Sequence, residues 1–443
     1  VVVGPWRQGS AILIIRQALN AFPDWSIRKS GHLRRFRRAL RRGFVWRGGR
    51  DRPISGLGRE RGPEAVILIE HGPGEAPALF DGAREVIVAS RPGEVAGALA
   101  RAEAARASGA WLAGYVAYEA GYALEPKLAR LMPRTRPGPL VALGVYDAPL
   151  AAGPALDRAA DEGRSTWMTA PEPLVGRRAY GNAARKVFDY IAAGDCYQVN
   201  LTFPMAAQLV SGSTLGLYGA FRRTGAVGHG AYVDLGIGPV VVSRSPELFF
   251  KVVGGKIVTR PMKGTRPRGK DAEEDAAIIA DLRSDEKDLA ENLMIVDLLR
   301  NDISRLSKVG TVKVPALYAI ESYATVHQMT STVEGVLDGP STLPGLMAAL
   351  FPCGSVTGAP KIRAMEIIRE VEPFARGVYC GAVGWMSPDG EADFSVAIRT
   401  LSVTGSQIVM NVGGGLTHGS TAQGEWEEAL WKARFVKAAV SRD

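Results

Sequence analysis

Hydrophobic patterning becomes regular from about residue 64. The runs Ala65-Val66-Ile67-Leu68-Ile69 and Trp111-Leu112-Ala113-Gly114-Tyr115-Val116 predict strands, and the Ala-, Leu- and Arg-rich stretch 93–108 predicts a helix. A Pro/Gly-rich, acidic segment at 148–175 reads as an exposed connection, with a linker expected over 151–175. Beyond it, 179–193 predicts a helix and 196–203 a strand. A long helix is expected from about Asp285 to Leu306, opening on an acid-rich turn and packing through Leu289, Leu293, Val296, Leu299 and Ile303. Strands and helices mix without a regular βαβ rhythm, so the fold class is α+β. No internal repeat and no strand-linked GxGxxG occurs.

Composition narrows the class. At 443 residues and 46% hydrophobic, the chain can bury a large core in one or two domains. No run of 18 apolar residues is present, which argues against a membrane span. Cys196, Cys353 and Cys380 are odd in number and far apart, fitting neither a disulfide framework nor a zinc site and pointing to a cytoplasmic setting. The net charge of +9 is misleading. Residues 1–63 hold fifteen Lys and Arg against three Asp and Glu, and the rest of the chain carries more acids than bases. The leader, with Arg34-Arg35-Phe36-Arg37-Arg38, is expected to be disordered or foreign to the working protein, and the folded body is not expected to bind nucleic acid.

Candidate chemistry lies in four places. Pro261-Met262-Lys263-Gly264-Thr265-Arg266-Pro267-Arg268-Gly269 sets one lysine among arginines on an apparent turn, surroundings that favour a neutral, nucleophilic amine or simply an anion patch. Glu291 and Asn292 fall off the centre of the apolar stripe of the 285–306 helix. Glu425, Glu428 and Lys432 share one face of a helix starting near Gly424, an arrangement that also suits an ordinary surface helix. If Glu291 and Glu428 converge, two carboxylates could hold a hard cation such as Mg²⁺, and the scarcity of histidine excludes softer metals. The run Val412-Gly413-Gly414-Gly415-Leu416 offers bare backbone to an anion, or is a bulge. The loop 351–361 enters a helix, with Thr357 a candidate cap and Pro360 in the first turn.

These motifs occur together with GDCYQVNLT (194–202), SRSPELFF (243–250), ENLMIVDLLRND (291–302), YCGAVGW (379–385), AIRTL (397–401) and GEWEEALWK (424–432). From residue 64 onward the chain therefore resembles the chorismate-utilising enzymes, and within them the aminodeoxychorismate synthase component I group; the anthranilate synthase large subunits are similar but carry alanine where this chain has Lys263. The resemblance implies two packed antiparallel β-sheets with helices outside. It divides the chain into an N-terminal region at 64–150 and a chorismate-binding catalytic region at 176–443.

The resemblance also implies roles. Lys263 would bond covalently to the ring of chorismate, and Glu247 would be the general acid for the departing C4 hydroxyl. Glu291 and Glu428, with Glu425 nearby, would hold Mg²⁺. Tyr379, Arg399 and the backbone at Gly413 and Gly415 would grip the enolpyruvyl carboxylate, and Ser355, Lys432 and Gln198 would line the substrate, Gln198 standing where water-activating relatives carry lysine. The family's histidine falls on Gln328, with His327 beside it, and neither inherits its role. Ammonia would come from a separate glutamine amidotransferase subunit. The rival expectations are an anthranilate synthase and, in another class, a non-catalytic protein binding chorismate or, through its leader, nucleic acid.

Overall fold

The computed structural model describes residues 65–440 apart from 324–325; the basic leader lies outside the described residues. Among them, strands assemble into one sheet of eleven and another of ten, and every pairing within these sheets is antiparallel. The sheets lie face to face. Ile67, Ile69, Val233 and Val241 from the first meet Ala113, Tyr115, Val383 and Trp385 from the second in one buried cluster.

Each sheet buries its other face under helices. The larger sheet carries the helices Arg177–Ala192, Thr214–Arg222, Lys361–Val371 and Ala422–Lys432, and the smaller carries Val95–Ala107, Glu286–Ser304 and Leu343–Leu350. Sheets packed together with helices outside make the α+β architecture that the motifs imply.

The strand Gln198–Ser211 shows why this layering positions a site. Val199, Leu201, Phe203 and Met205 point into the helix-covered core, whereas Gln198, Asn200 and Thr202 are equally buried on the opposite face, toward the other sheet. Its partner Gln407–Leu416 runs alongside, setting Gly413 opposite Thr202 and Gly415 opposite Asn200. A polar patch is thereby folded into the interior between the sheets.

Several expectations change. The 151–175 stretch is no linker: it forms the helix Gly153–Glu162, with Ala159 buried, and the strands Trp167–Met168 and Glu172–Pro173, both paired to Gln198–Ser211. Nor do residues 66–150 stand apart, since Val66–Ile69 joins the larger sheet and Trp111–Val116 the smaller. Val66–Ile69 pairs there with His229–Asp234 and Trp111–Val116 with Ala382–Met386, partners more than a hundred residues away and beyond the reach of any local pattern.

The lysine-bearing segment is not a turn but the strand Met262–Pro267, bulged so that Gly264 adopts φ +80°. The long helix spans Glu286–Ser304 with Asp285 as its cap, yet Leu293 is exposed while Asn292 is fully buried and accepts a 2.6 Å bond from Ser331. Its buried face runs through Ile295, Val296, Leu299 and Ile303. Pro360, not Thr357, precedes the helix Lys361–Val371, and the Thr357 hydroxyl donates back to the Cys353 carbonyl at 3.0 Å.

Candidate active site

The polar patch floors a cavity of about 660 Å³. Glu247, Lys263, Glu291, Ser355, Tyr379, Arg399, Gly413, Gly415, Glu425, Glu428 and Lys432 all line it, so the residues singled out from the sequence converge. Gln198 lies just beneath, its Oε1 3.4 Å from the Lys263 amine.

Lys263 reaches the cavity from its bulged strand and stands 3.6 Å from Glu291. A Cβ on Gly415 would come within 3.0 Å of the Lys263 nitrogen and 2.7 Å of Gln198 Nε2, so a side chain there would displace the ends of both residues. The arginines do not crowd this amine as expected. Arg266 pairs with Asp281, Asp285 and Asp288, Arg268 with Asp275, and Arg260 with Glu321, so their charge is spent on fastening the strand. The neighbouring charge of Lys263 is Glu291.

Glu247 sits 4% exposed, and its Oε1 has no hydrogen-bond partner among the described residues. Burial pushes its carboxyl up to about 7, against the opposing pull of the Ser355 hydroxyl and the charges of Lys263 and Lys432. An acid held protonated near neutrality, beside an amine, is the pairing that general-acid departure of a hydroxyl requires.

Across the cavity, Arg399 holds a left-handed backbone at φ +49° and makes no ion pair among the described residues. Desolvation lowers its pKa. Cys380, next to Tyr379, is also left-handed at φ +63°. Arg399 is thus a strained non-glycine residue on the cavity wall, and Cys380 follows directly in sequence from the lining Tyr379. An unpaired guanidinium lining the same cavity as a phenol suits an incoming carboxylate.

The remaining carboxylates form a chain. Lys287 lies 3.8 Å from Glu291 and 3.7 Å from Glu425; Thr417 donates to Glu291 at 3.0 Å and Ser420 to Glu425 at 2.6 Å. Lys432 bridges Glu428, at 2.8 Å, to the Gly413 carbonyl, at 3.0 Å. Burial raises the pKa of Glu425, whereas for Glu428 burial is outweighed by Lys432, Lys263 and Lys287, and its pKa falls. The helix carrying them is thus no plain surface helix, because Glu425 is 5% exposed.

The donor set suits a hard cation held by two carboxylates, Glu291 and Glu428, whose present counter-charges are lysines. It is no carboxylate cage. Among the described residues no group of three His, Cys, Asp or Glu side chains is placed to hold a metal, and Glu425 is joined to Glu291 through Lys287.

Neighbours on a strand face opposite ways, and here that assigns Gln328 to the cavity, bonded to Thr265 at 3.3 Å, and His327 to the far side, 2.8 Å from the Ser322 hydroxyl and 2.9 Å from Asp275. Residues not singled out beforehand include Asn200, Asn411 and Lys287. The alternation Gln198-Val199-Asn200-Leu201-Thr202 and the i,i+4 spacing of Lys287 and Glu291 were the available signals. Beneath the site, fully buried Arg376 binds both oxygens of Glu372, at 2.8 and 2.9 Å, and the carbonyls of Asn200 and Val356, at 2.6 and 2.9 Å. It ties the polar strand to the loop bearing Ser355.

Residues 74–438 match the profile of the chorismate binding enzyme family, and the chain belongs to that family. It is 43% identical over 264 residues to anthranilate synthase component 1 of Thermus thermophilus, covering 60% of this chain and 57% of that one. It is 42% identical over 260 residues to aminodeoxychorismate synthase component 1 of Escherichia coli, covering 59% and 57%. The matched segment spans little more than half the length of these relatives. The crystal structure of anthranilate synthase component I from Streptococcus pneumoniae superposes with a TM-score of 0.63 at 25% identity, covering 92% of this chain and 97% of that one. The menaquinone-specific isochorismate synthase MenF of Escherichia coli shares the fold, with a TM-score of 0.66 at 17% identity over 88% and 93% of the two chains. No helix among the described residues is long and apolar enough to cross a membrane.

Proposed function

We propose that this chain aminates chorismate at C4, yielding 4-amino-4-deoxychorismate, and that it does so through a transient bond between Lys263 and the ring. The observation that carries this reading is the Lys263 amine inside the cavity, 3.4 Å from Gln198 Oε1, in a site that also holds a buried, proton-bearing Glu247. A water-activating base is not what a glutamine at position 198 supplies.

In this mechanism Arg399 and Tyr379 hold the enolpyruvyl carboxylate and orient the ring. Lys263, once its proton has left to solvent, bonds through its amine to C2, the ring double bonds shift, and the C4–O bond breaks as the Glu247 carboxyl gives its proton, releasing water. The adduct nitrogen sheds a proton. Ammonia then bonds to C4, the double bonds shift back and the lysine leaves C2 with its proton restored, so one ammonia is consumed and one water released. Mg²⁺ held by Glu291 and Glu428 would neutralise the ring carboxylate. Lys287 pairs with Glu291 and Lys432 with Glu428, which holds those carboxylates in place. A glutamine-hydrolysing subunit as the source of ammonia belongs to this proposal.

The second reading is anthranilate synthesis, favoured by the 43% identity to an anthranilate synthase subunit. Product analysis separates the two. With chorismate, ammonium and Mg²⁺, the first reading gives a product that keeps its enolpyruvyl group, and the second gives fluorescent anthranilate with pyruvate. Without ammonia, the first also gives intact protein heavier by chorismate less water. Release of anthranilate with no such adduct would retire the lysine mechanism.

Acid catalysis by Glu247 makes a pH prediction. Its carboxyl, pushed up to about 7, is protonated below that value and ionised above it. The rate of adduct formation should therefore fall by about tenfold per unit as pH rises past the pKa. A rapid-quench pH profile checks this, and in Glu247→Gln the same limb should vanish along with most of the rate.

A further inference from the structure

On the face of the strand Val326–Val336 turned away from the main cavity, three side chains stand in line. His327 is 1% exposed and both its ring nitrogens are engaged: Nε2 lies 2.9 Å from Asp275 Oδ1, and Nδ1 lies 2.8 Å from Ser322 Oγ. Asp275 belongs to the first turn of the helix Ala272–Ser284. Ser322 ends the strand Lys313–Ser322, whose pairing with Val326–Val336 sets it directly opposite His327. None of the three lines the main cavity, although Gln328, next to His327, does.

The proton of this ring has one place to sit. Arg268 Nε approaches the two oxygens of Asp275 at 2.9 and 3.1 Å, and the Gly269 amide donates to one of them. The Arg268 guanidinium, with help from His327, holds the Asp275 carboxyl well below the usual carboxylate range. An ionised carboxylate only accepts, so the hydrogen of a neutral imidazole lies on Nε2. Nδ1 is then a lone pair, and the Ser322 hydroxyl donates to it. The two nitrogens exchange the places they hold in Ser-His-Asp hydrolases, but the logic is the same: a carboxylate fixes the tautomer, and the ring draws on a hydroxyl proton. Burial divides the parts, since the imidazole is shielded from water whereas Ser322 is exposed and open to a reagent.

We infer that Ser322 is an activated surface nucleophile, with His327 as its general base and Asp275 as the carboxylate that sets the base's tautomer, and that it takes acyl groups from activated carboxylic esters. Ser322 Oγ bonds to the carbonyl carbon as its proton passes to His327 Nδ1, and the Asp275 carboxylate stabilises the imidazolium. The bond from that carbon to the leaving oxygen then breaks and the oxygen takes the proton from Nδ1, so the products are an ester on Ser322 and a free alcohol. The inference is independent of amination at C4 and does not depend on that reading.

Acetylation by p-nitrophenyl acetate tests it. Ser304 is also exposed, but its hydroxyl donates to the Asn301 carbonyl at 2.7 Å and meets no base among the described residues, so it serves as the internal standard. In a timed reaction of the full chain followed by peptide mass mapping, Ser322 should gain its acetyl group about 10²-fold faster than Ser304. His327→Gln keeps an amide that can donate to Asp275 but offers no base, and should bring Ser322 down to the Ser304 rate. Should this variant fail to give a cooperative melt, the ratio in the wild type decides alone. Equal rates at Ser322 and Ser304 in the wild type, or a folded His327→Gln that still acetylates Ser322 at the wild-type rate, overturn the inference.

Discussion

Lys263→Ala should cut turnover of chorismate with ammonium by at least about 10³-fold, abolish the mass adduct and leave chorismate binding nearly intact. The expectation follows from placement. The Lys263 side chain is 13% exposed, its amine faces the cavity across Gly415 and lies 3.4 Å from Gln198, while Arg399 and Tyr379, which would hold the substrate, sit on two separate connecting segments. Stopped-flow product formation and equilibrium binding of chorismate check the two halves separately. A variant that turns over ammonia as the wild type does would show that the covalent route is not obligatory.

Arg376→Met should lower unfolding stability by about 3–5 kcal/mol, because it strands the Glu372 carboxylate in the interior. Glu372 also receives the Thr202 amide at 2.8 Å and hydroxyl at 3.0 Å, and Arg376 lies 4.5 Å from the Tyr118 ring centroid, so the loss spreads across three segments. Removing both charges in Arg376→Met/Glu372→Leu should recover much of the deficit, since no unpaired ion is then left buried. Urea titration of the three proteins reads the effect, and a double variant weaker than the single one would contradict it.

How far these features could be read beforehand depended on whether their cause was local. The strand near 196–203, the acid-rich opening of the helix from Asp285 and the shared face of Glu425, Glu428 and Lys432 follow from short-range pattern and are legible in the sequence. Lys263 was misread as part of a turn because Gly264 and Pro267 imitate one; only pairing with Val326–Val336 makes that segment a strand. The supposed linker at 151–175 looked unstructured for the same reason, its order coming from contact with Gln198–Ser211. Burial of Asn292 in place of Leu293 depended on Ser331, from a strand thirty-nine positions away along the chain. The convergence of Glu247, Arg399 and Lys432 in one cavity is likewise a property of topology, and motif order alone implied it by resemblance.

The strand Gln198–Ser211 divides its labour by parity: odd positions anchor the helices, and even positions meet the chemistry. Substitutions on the even side, or at the bulged neighbour 263, therefore fall on the cavity and not on the helix-packed core. The lining of the cavity can in this way change while the layered core that carries it is kept.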